Sequence, residues 1–247
     1  MQVIYDGTFE GFLTLVYDVY YKKLKPTNIS RTAENSLFMD EVYEVVTDEN
    51  NANKVLEAIK NSFNKEHLNL ILNMFFCDNE EFEMLLLQYI ITGFKDKNEL
   101  NNINNPFVFK LQRMQKELFY TVHKMYGFTR FVELDDGTLY AKIETKHNVL
   151  YFLGKHFFKR LNNQKYIIHD INRKIAFIKN DEYLGIQNIS SFEEPNISEN
   201  EEHFAKLWCE FFDAVSIESR ENEKCQQNFM PLLFRTYMTE FSISRKT

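Results

Sequence analysis

Apolar residues recur at helical spacing through the first hundred positions of the chain. Between residues 9 and 24, Phe12, Val16 and Val19 follow one another at intervals of four and three, which is the period of an amphipathic helix. Asp48 is placed to cap a further helix, because its carboxylate accepts hydrogen bonds from free backbone N–H groups. The elements predicted for this part are strands at 2–5 and 41–46 and helices at 9–24, 49–63, 66–76 and 80–94.

Beyond residue 100, β-rich segments joined by short polar turns lie between the helices. The elements predicted here are helices at 107–126, 149–161, 201–215 and 229–241 and strands at 128–134, 138–144, 165–171, 174–180 and 182–188. This order predicts an α+β fold with a mostly helical N-terminal part, a central antiparallel sheet with a packed helix, and a helical C-terminus.

An Asp-Gly pair between the strands at 128–134 and 138–144 is typical of a hairpin turn. The sequence is compatible with two registers of this hairpin. A two-residue turn pairs Phe131 with Lys142, whereas a three-residue bulged turn places Arg130 opposite Lys142.

Charge divides the chain into three parts. The net charge of −7 comprises −8 over residues 1–100, +6 over residues 101–190 and −5 over residues 191–247. An asparagine-rich segment at 98–105 marks the first change of sign and is the predicted linker. We expect the three parts to pack as one compact unit, and we expect an anionic partner to bind the basic middle part.

Several features bear on location and on membrane association. Cys77, Cys209 and Cys225 lie far apart in the sequence, which favours reduced thiols over a disulfide framework. The first residues lack the basic and apolar regions of a signal peptide, and no apolar run is long enough to span a bilayer. We expect a cytoplasmic protein with no membrane partner.

Cations cluster in the basic part, on the helices predicted at 107–126 and 149–161 and on the strands beside them. Lys binds phosphate as a point charge and Arg as a fork. Aromatic residues lie between these cations in the sequence, and a surface that presents both can stack bases. The competing interpretation is that both helices merely expose their solvated sides. The candidate nucleic-acid-binding residues are Arg113, Arg130, Lys142, Lys155, His156, Lys159, Arg160 and Arg173.

His169 and Asp170 are the neighbours that most resemble a catalytic acid and base, with Arg173 close by. Adjacent side chains on a strand point to opposite faces, so these two cannot form a relay with each other. The alternative function is a nucleic-acid-processing enzyme with a site around these three residues, His156 and Arg160. No pair of histidines has the spacing of a zinc-binding helix, and neither a metal nor a cofactor is expected.

Four segments resemble one bacterial family, in order, from Tyr5 to Phe241. They are YDGTFEGFLTLVYDVY, the stretch from GFTRFVEL to YAKIETKHNVLYFLGKHFFKR, IIHDINRKIAF, and LWCEFFDAVSIESRENEKCQQNFMPLLFRTYMTEF. The family is a domain of unknown function usually labelled a probable DNA metabolism protein. The positions that match its polar motifs are Arg130, His156, Arg160, His169, Asp170, Arg173, Arg220, Asn222 and Glu240.

The resemblance implies a role in DNA metabolism beside a radical SAM protein that is encoded nearby and thought to act in DNA modification or repair. Some members look fused to a uracil-DNA glycosylase-like domain, and this sequence has neither that portion nor the cysteine triplet of a radical SAM enzyme. The leading hypothesis is a DNA-metabolism accessory protein that binds nucleic acid, or a DNA-processing partner, through the basic part. A third hypothesis, a protein-binding module, predicts an exposed apolar patch of unusual size.

Overall fold

The computed structural model describes residues 1–31, 41–79, 82–189, 196–217 and 222–242. The chain forms two compact units, Met1–Leu118 and Phe119–Thr247. Each unit combines helices with a sheet, so the predicted α+β class is confirmed. The division between the units falls within a helix, and the three-part division drawn from charge remains a prediction.

A parallel sheet with a central first strand lies in the first unit. Its strands are β1 (Gln2–Ile4), β2 (Asn28–Ser30) and β3 (Val42–Glu44). Both neighbours of β1 run parallel to it. The helix α1 (Phe9–Tyr21) connects β1 to β2, since a parallel pair needs a crossover. The sequence does not predict β2, because three residues are too few to show a period.

Further helices of the first unit lie close to their predicted places. They are α2 (Glu49–Ser62), α3 (Lys65–Met74), α4 (Phe82–Lys95), a 3-10 helix (Lys97–Asn101) and α5 (Pro106–Phe128), which continues into the second unit. Asp48 caps α2 as predicted, since its carboxylate accepts the backbone N–H of Asn51 at 2.9 Å. Residues 80 and 81, where the sequence places the start of α4, lie outside the described residues.

The second unit contains a five-stranded sheet. Its strands, in spatial order, are β4 (Val132–Glu133), β5 (Leu139–Ile143), β6 (Tyr166–Asp170), β7 (Ile175–Lys179) and β8 (Leu184–Asn188). The prediction of an antiparallel sheet is wrong for one pairing, because β5 and β6 are parallel. The helix between these two strands carries the chain back along the sheet, and that crossover produces the parallel pairing.

The hairpin between β4 and β5 takes the register of the three-residue bulged turn. Val132 pairs with Tyr140, which is the register that sets Arg130 opposite Lys142. Gly137 in the turn has a φ of 77°. Glycine adopts this left-handed conformation without steric cost, which explains its place in the turn.

The helix α6 (Leu150–Arg160) packs on β6 and β7. Its buried side consists of Leu150, Leu153, Gly154 and Phe157. Gly154 is required by a close approach, since a Cβ atom there would lie 2.2 Å from a ring carbon of Phe177. The Gly154 carbonyl also accepts the Tyr166 hydroxyl at 2.9 Å. These contacts fix the orientation of α6 and determine which of its sides faces solvent.

The C-terminal part of the second unit consists of short helical pieces around one longer helix. They are α7 (Glu201–Ala214), α8 (Glu223–Phe229), a 3-10 helix (Leu232–Arg235) and α9 (Thr239–Ser242). The prediction of one helix at 229–241 is wrong. Pro231 has a ψ of 147°, which is extended backbone, and its ring lacks the N–H that an uninterrupted helix would use.

Candidate nucleic-acid interface

The outward side of α6 combines cations with aromatic rings. Tyr151, Lys155 and Phe158 follow one another at intervals of four and three, and Lys159 comes four residues after Lys155, which places all four on one face. Tyr151 is 44% exposed and Phe158 is 39% exposed. A face that is merely solvated needs no aromatic ring, so the pattern is more specific than charge alone. These four residues are called the α6 stripe below.

The cations of α6 are accessible to a ligand. Lys155, Lys159 and Arg160 are exposed, and within the described ranges none of them forms an ion pair with a carboxylate. Lys159 and Arg160 lie in the last turn of α6, where positive charge interacts favourably with the helix dipole. That interaction leaves both charges in water, where a phosphate can reach them.

His156 contributes packing rather than charge. Its ring stacks on Tyr126 with centroids 4.1 Å apart. The Nε2 atom is buried and has no hydrogen-bond partner in the described part of the chain. Burial lowers the pKa of His156, and the nearby Arg160 lowers this pKa further. The imidazole is therefore mostly neutral at neutral pH and adds little to the positive potential of α6.

Asp170 and Arg173 form an ion pair with a buried carboxylate where β6 ends. The carboxylate of Asp170 is fully buried and accepts Nη1 of Arg173 at 2.9 Å. Arg173 also donates to the backbone carbonyls of Thr145 and Lys146. The guanidinium therefore joins the turn after β6 to the segment that precedes α6. Arg173 stabilises the fold here, and Asp170 is bound to a cation instead of being available as a base.

His169 lies next to Asp170 on β6 but has a different partner. Its Nδ1 atom shares a hydrogen bond with the Tyr140 hydroxyl at 2.9 Å, and its neighbour across the sheet is Lys142. Burial lowers the pKa of His169, against the opposing effect of the Asp170 carboxylate. His169 and Asp170 are therefore each committed to a different contact.

Arg130 forms another ion pair with a buried carboxylate, that of Glu240. Its Nη2 and Nε atoms donate to the two carboxylate oxygens at 2.7 and 3.3 Å. Glu240 also accepts the indole N–H of Trp208 at 3.0 Å. Burial by itself raises the pKa of Glu240, but the hydrogen bonds from Arg130 and Trp208 bring this pKa below its ordinary value. The pair joins the segment before β4 to α7 and α9.

The predicted site residues therefore fall into separate groups. Those in the second unit are Lys155, His156, Lys159 and Arg160 on α6, Lys142, His169, Asp170 and Arg173 around the end of β6, and Arg130 before β4. Arg113 lies in the first unit and forms an ion pair with Glu117 at 3.2 Å. Asn222 caps α8 by accepting the backbone N–H of Cys225, and Arg220 lies outside the described residues.

Sequence reasoning passes over the side chains of α7. Phe204, Leu207, Trp208 and Phe211 are exposed by 56, 46, 39 and 57%. Their spacing is that of one face of a helix, and this spacing is the signal by which the sequence could have revealed the apolar face. Sequence alone assigns such an apolar face to the core, whereas every residue of α7 remains at least partly exposed.

No group of three His, Cys, Asp or Glu side chains in the described ranges is arranged to hold a metal ion. In the same ranges, no helix has both the length and the apolar character that crossing a bilayer requires.

Residues 80–240 match a protein family described as a domain of unknown function, DUF4130. The matched region includes α6, the five-stranded sheet and α7. No curated protein matches the chain. Because the match extends over more than half of the sequence, this chain belongs to the DUF4130 family of domains of unknown function.

Proposed function

We propose that this protein is a DNA-metabolism accessory protein whose second unit binds nucleic acid through the α6 stripe and the adjoining Arg160. The observation that carries the proposal is the combination, on one helix face, of exposed rings and of lysines that form no ion pair within the described ranges. An aromatic ring stacks on any base, and a lysine beside it neutralises a phosphate. This combination suits single-stranded nucleic acid, because its bases are open to stacking.

Two independent arguments support the choice of partner. The chemistry of the α6 stripe supports a nucleic acid, since its rings and cations address both parts of a nucleotide. The family resemblance supports DNA in particular as the nucleic acid. It also supports a role beside a radical SAM protein that acts in the same process. Fold and family membership alone supply neither partner.

Fluorescence anisotropy with a labelled single-stranded DNA oligonucleotide tests the proposal. Affinity is expected to fall steeply between about 50 and 200 mM salt, because each neutralised phosphate releases a counterion. Lys155→Glu and Lys159→Glu are each expected to weaken binding. Each change is also expected to reduce the magnitude of the slope of log affinity against log salt by about one, which is the contribution of one phosphate contact.

Lys60→Glu is the matched control. Lys60 is a partly exposed lysine on a helix of the first unit, and the substitution changes net charge by the same amount. It is expected to leave the affinity close to that of the unmodified protein. Absence of binding at high protein concentration, salt-independent binding, or an equal loss with Lys60→Glu contradicts the proposal.

A further inference from the structure

A cleft of about 350 Å³ opens beside the Arg130–Glu240 pair in the second unit. Small-molecule sites range from about 300 to 1,000 Å³, so this cleft suits a ligand with the size of one ring system. Its lining includes Arg130, Phe131, Glu201, Phe204, Ala205 and Trp208. Of these, Arg130 alone belongs to the predicted nucleic-acid surface.

We infer that this cleft receives a single nucleobase of the strand that is bound along α6, an inference that rests on the proposed function. A base that leaves its stack is held in proteins by stacking on aromatic side chains and by hydrogen bonds to its edge. The cleft provides both kinds of group, and like α6 it lies in the second unit.

Aromatic rings form much of the lining. Phe131, Phe204 and Trp208 each contribute a ring. The indole is held in place, since its N–H donates to Glu240 and the guanidinium of Arg130 lies 5.4 Å from the ring centroid. A ring that is already oriented loses little conformational freedom when a base stacks on it, which favours binding.

The charges of the cleft favour a neutral polar ring over a phosphate. The positive charge of Arg130 is balanced by the carboxylate of Glu240. Glu201 adds a further carboxylate, one oxygen of which accepts the backbone N–H of Glu133 at 2.9 Å. Such a lining repels an anion, while a carboxylate accepts hydrogen bonds from the N–H groups of a base. The phosphates of the same strand are expected to remain on the lysines of α6.

Contact between Phe131 and the buried side of α6 makes the wall of the cleft part of the packing of this helix. The Phe131 ring meets the Phe157 ring edge-on, with centroids 4.9 Å apart. Phe157 lies on the buried side of α6, two residues from Lys155 and Lys159. Phe131 therefore belongs both to the lining of the cleft and to the packing of the helix that carries the phosphate-binding cations.

Trp208 is the single tryptophan of the chain, so its fluorescence reports on the cleft directly. The experiment compares an oligothymidylate of about ten nucleotides with an abasic oligonucleotide of equal length and phosphate count. The oligothymidylate is expected to quench Trp208 and to bind at least roughly fivefold more tightly, since each stacked base contributes about 1–3 kcal/mol. The abasic strand is expected to bind without quenching.

Two variants of α7 alter the cleft in opposite ways. Phe204→Ala removes one ring, and Ala205→Leu fills the space between the rings without loss of helix propensity. Both are expected to abolish the quenching of Trp208 and the part of the preference for the oligothymidylate that the cleft supplies, while base stacking on the α6 stripe remains. Leu207→Ala is the control, because Leu207 is exposed by 46%, lies on the same helix and is not among the residues that line the cleft.

The outcomes separate this inference from the function on which it rests. Binding of the oligothymidylate without quenching of Trp208, together with an unchanged preference in Phe204→Ala, overturns the base-binding cleft and leaves the α6 stripe intact. Failure of both oligonucleotides to bind overturns the proposed function, and equal affinity for the two contradicts base stacking at both places. A loss of preference in Leu207→Ala equal to that in Phe204→Ala also overturns the cleft, since the effect would then belong to α7 as a whole.

Discussion

The basic stretch of the sequence supplies two kinds of cation that the fold uses differently. Arg130 and Arg173 each bind a buried carboxylate and join segments that are distant along the chain or across a turn. Lys155, Lys159 and Arg160 remain in solvent on α6. The difference shows that positive charge in a sequence indicates a binding surface only after the buried acids have been matched with their partners.

Burial of the carboxylates is the physical cause of this difference. Glu240 is 4% exposed and Asp170 is fully buried, and an unpaired charge in such a place would be strongly unfavourable. An arginine side chain presents several fixed N–H donors and keeps its charge when it is partly buried. A lysine on an exposed helix face has no buried carboxylate to neutralise, and its ammonium group stays hydrated.

Replacement of Asp170 tests the buried side of the comparison and is expected to have the largest effect. Asp170→Ala leaves Arg173 without its carboxylate and should lower the free energy of unfolding of the second unit by about 3–5 kcal/mol. Urea denaturation followed by Trp208 fluorescence measures this change. A loss below about 1 kcal/mol would show that the pair is not what holds the turn after β6.

Two glycine substitutions test the packing of the buried side of α6. Gly154→Ala places a Cβ atom against the Phe177 ring, and overpacking of this kind costs about 1–3 kcal/mol. In Gly127→Ala the new Cβ meets no atom of the described residues within 4 Å beyond its chain neighbours and the helix's own backbone, so the gain in helix propensity should stabilise the protein by up to about 1 kcal/mol. Opposite signs in thermal denaturation support the packing described for α6, and equal signs contradict it.

His169 gives a smaller, pH-dependent effect within the buried region. Its folded-state pKa is lowered from the ordinary value of 6.5, mainly by burial. The unfolded chain therefore takes up the proton more readily, and the contribution to stability that is full above pH 6.5 is lost as the pH falls. Urea denaturation at pH 7.5 and 5.5 should show this loss.

His169→Gln provides the control for the pH experiment, because glutamine can still hydrogen-bond the Tyr140 hydroxyl but does not titrate in this range. The neighbouring charges of Asp170 and Lys142 are unchanged by the substitution. The variant should lose less stability than the unmodified protein between the two pH values. An identical loss would assign the pH dependence to other groups, such as His156.

Local periodicity explains how much of the fold the sequence predicts. The helical period of α6 is visible because the helix buries one face, and β6 and β7 are visible as short apolar runs between polar turns. The parallel pairing of β5 with β6 and the break at Pro231 depend on how distant segments pack, and no local pattern records them. The exposed apolar face of α7 has the same pattern as a buried one, so its exposure was not predictable.

The candidate site likewise has parts that local sequence predicts and parts that depend on the packing of distant segments. The cations of α6 are visible in the sequence as neighbours on one helix face. The partner of Arg130 is 110 positions away, and nothing in the local sequence marks Glu240 as its carboxylate. Asp170 and Arg173 are three positions apart, but their burial, which turns them from candidate ligands into a structural pair, is a property of the folded unit.

Charge reversal on α6 tests the exposed side of the comparison and is expected to have the smallest effect on stability. Lys155 lies in the middle of α6, away from the dipole of the helix terminus, and within the described ranges it has no carboxylate partner. Lys155→Glu should therefore change the free energy of unfolding by no more than about 0.5 kcal/mol, although it weakens nucleic-acid binding. The same urea experiment used for Asp170→Ala measures it. A cost comparable to that of Asp170→Ala would mean that Lys155 stabilises the fold as the arginines do, and the distinction between structural and available cations would fail.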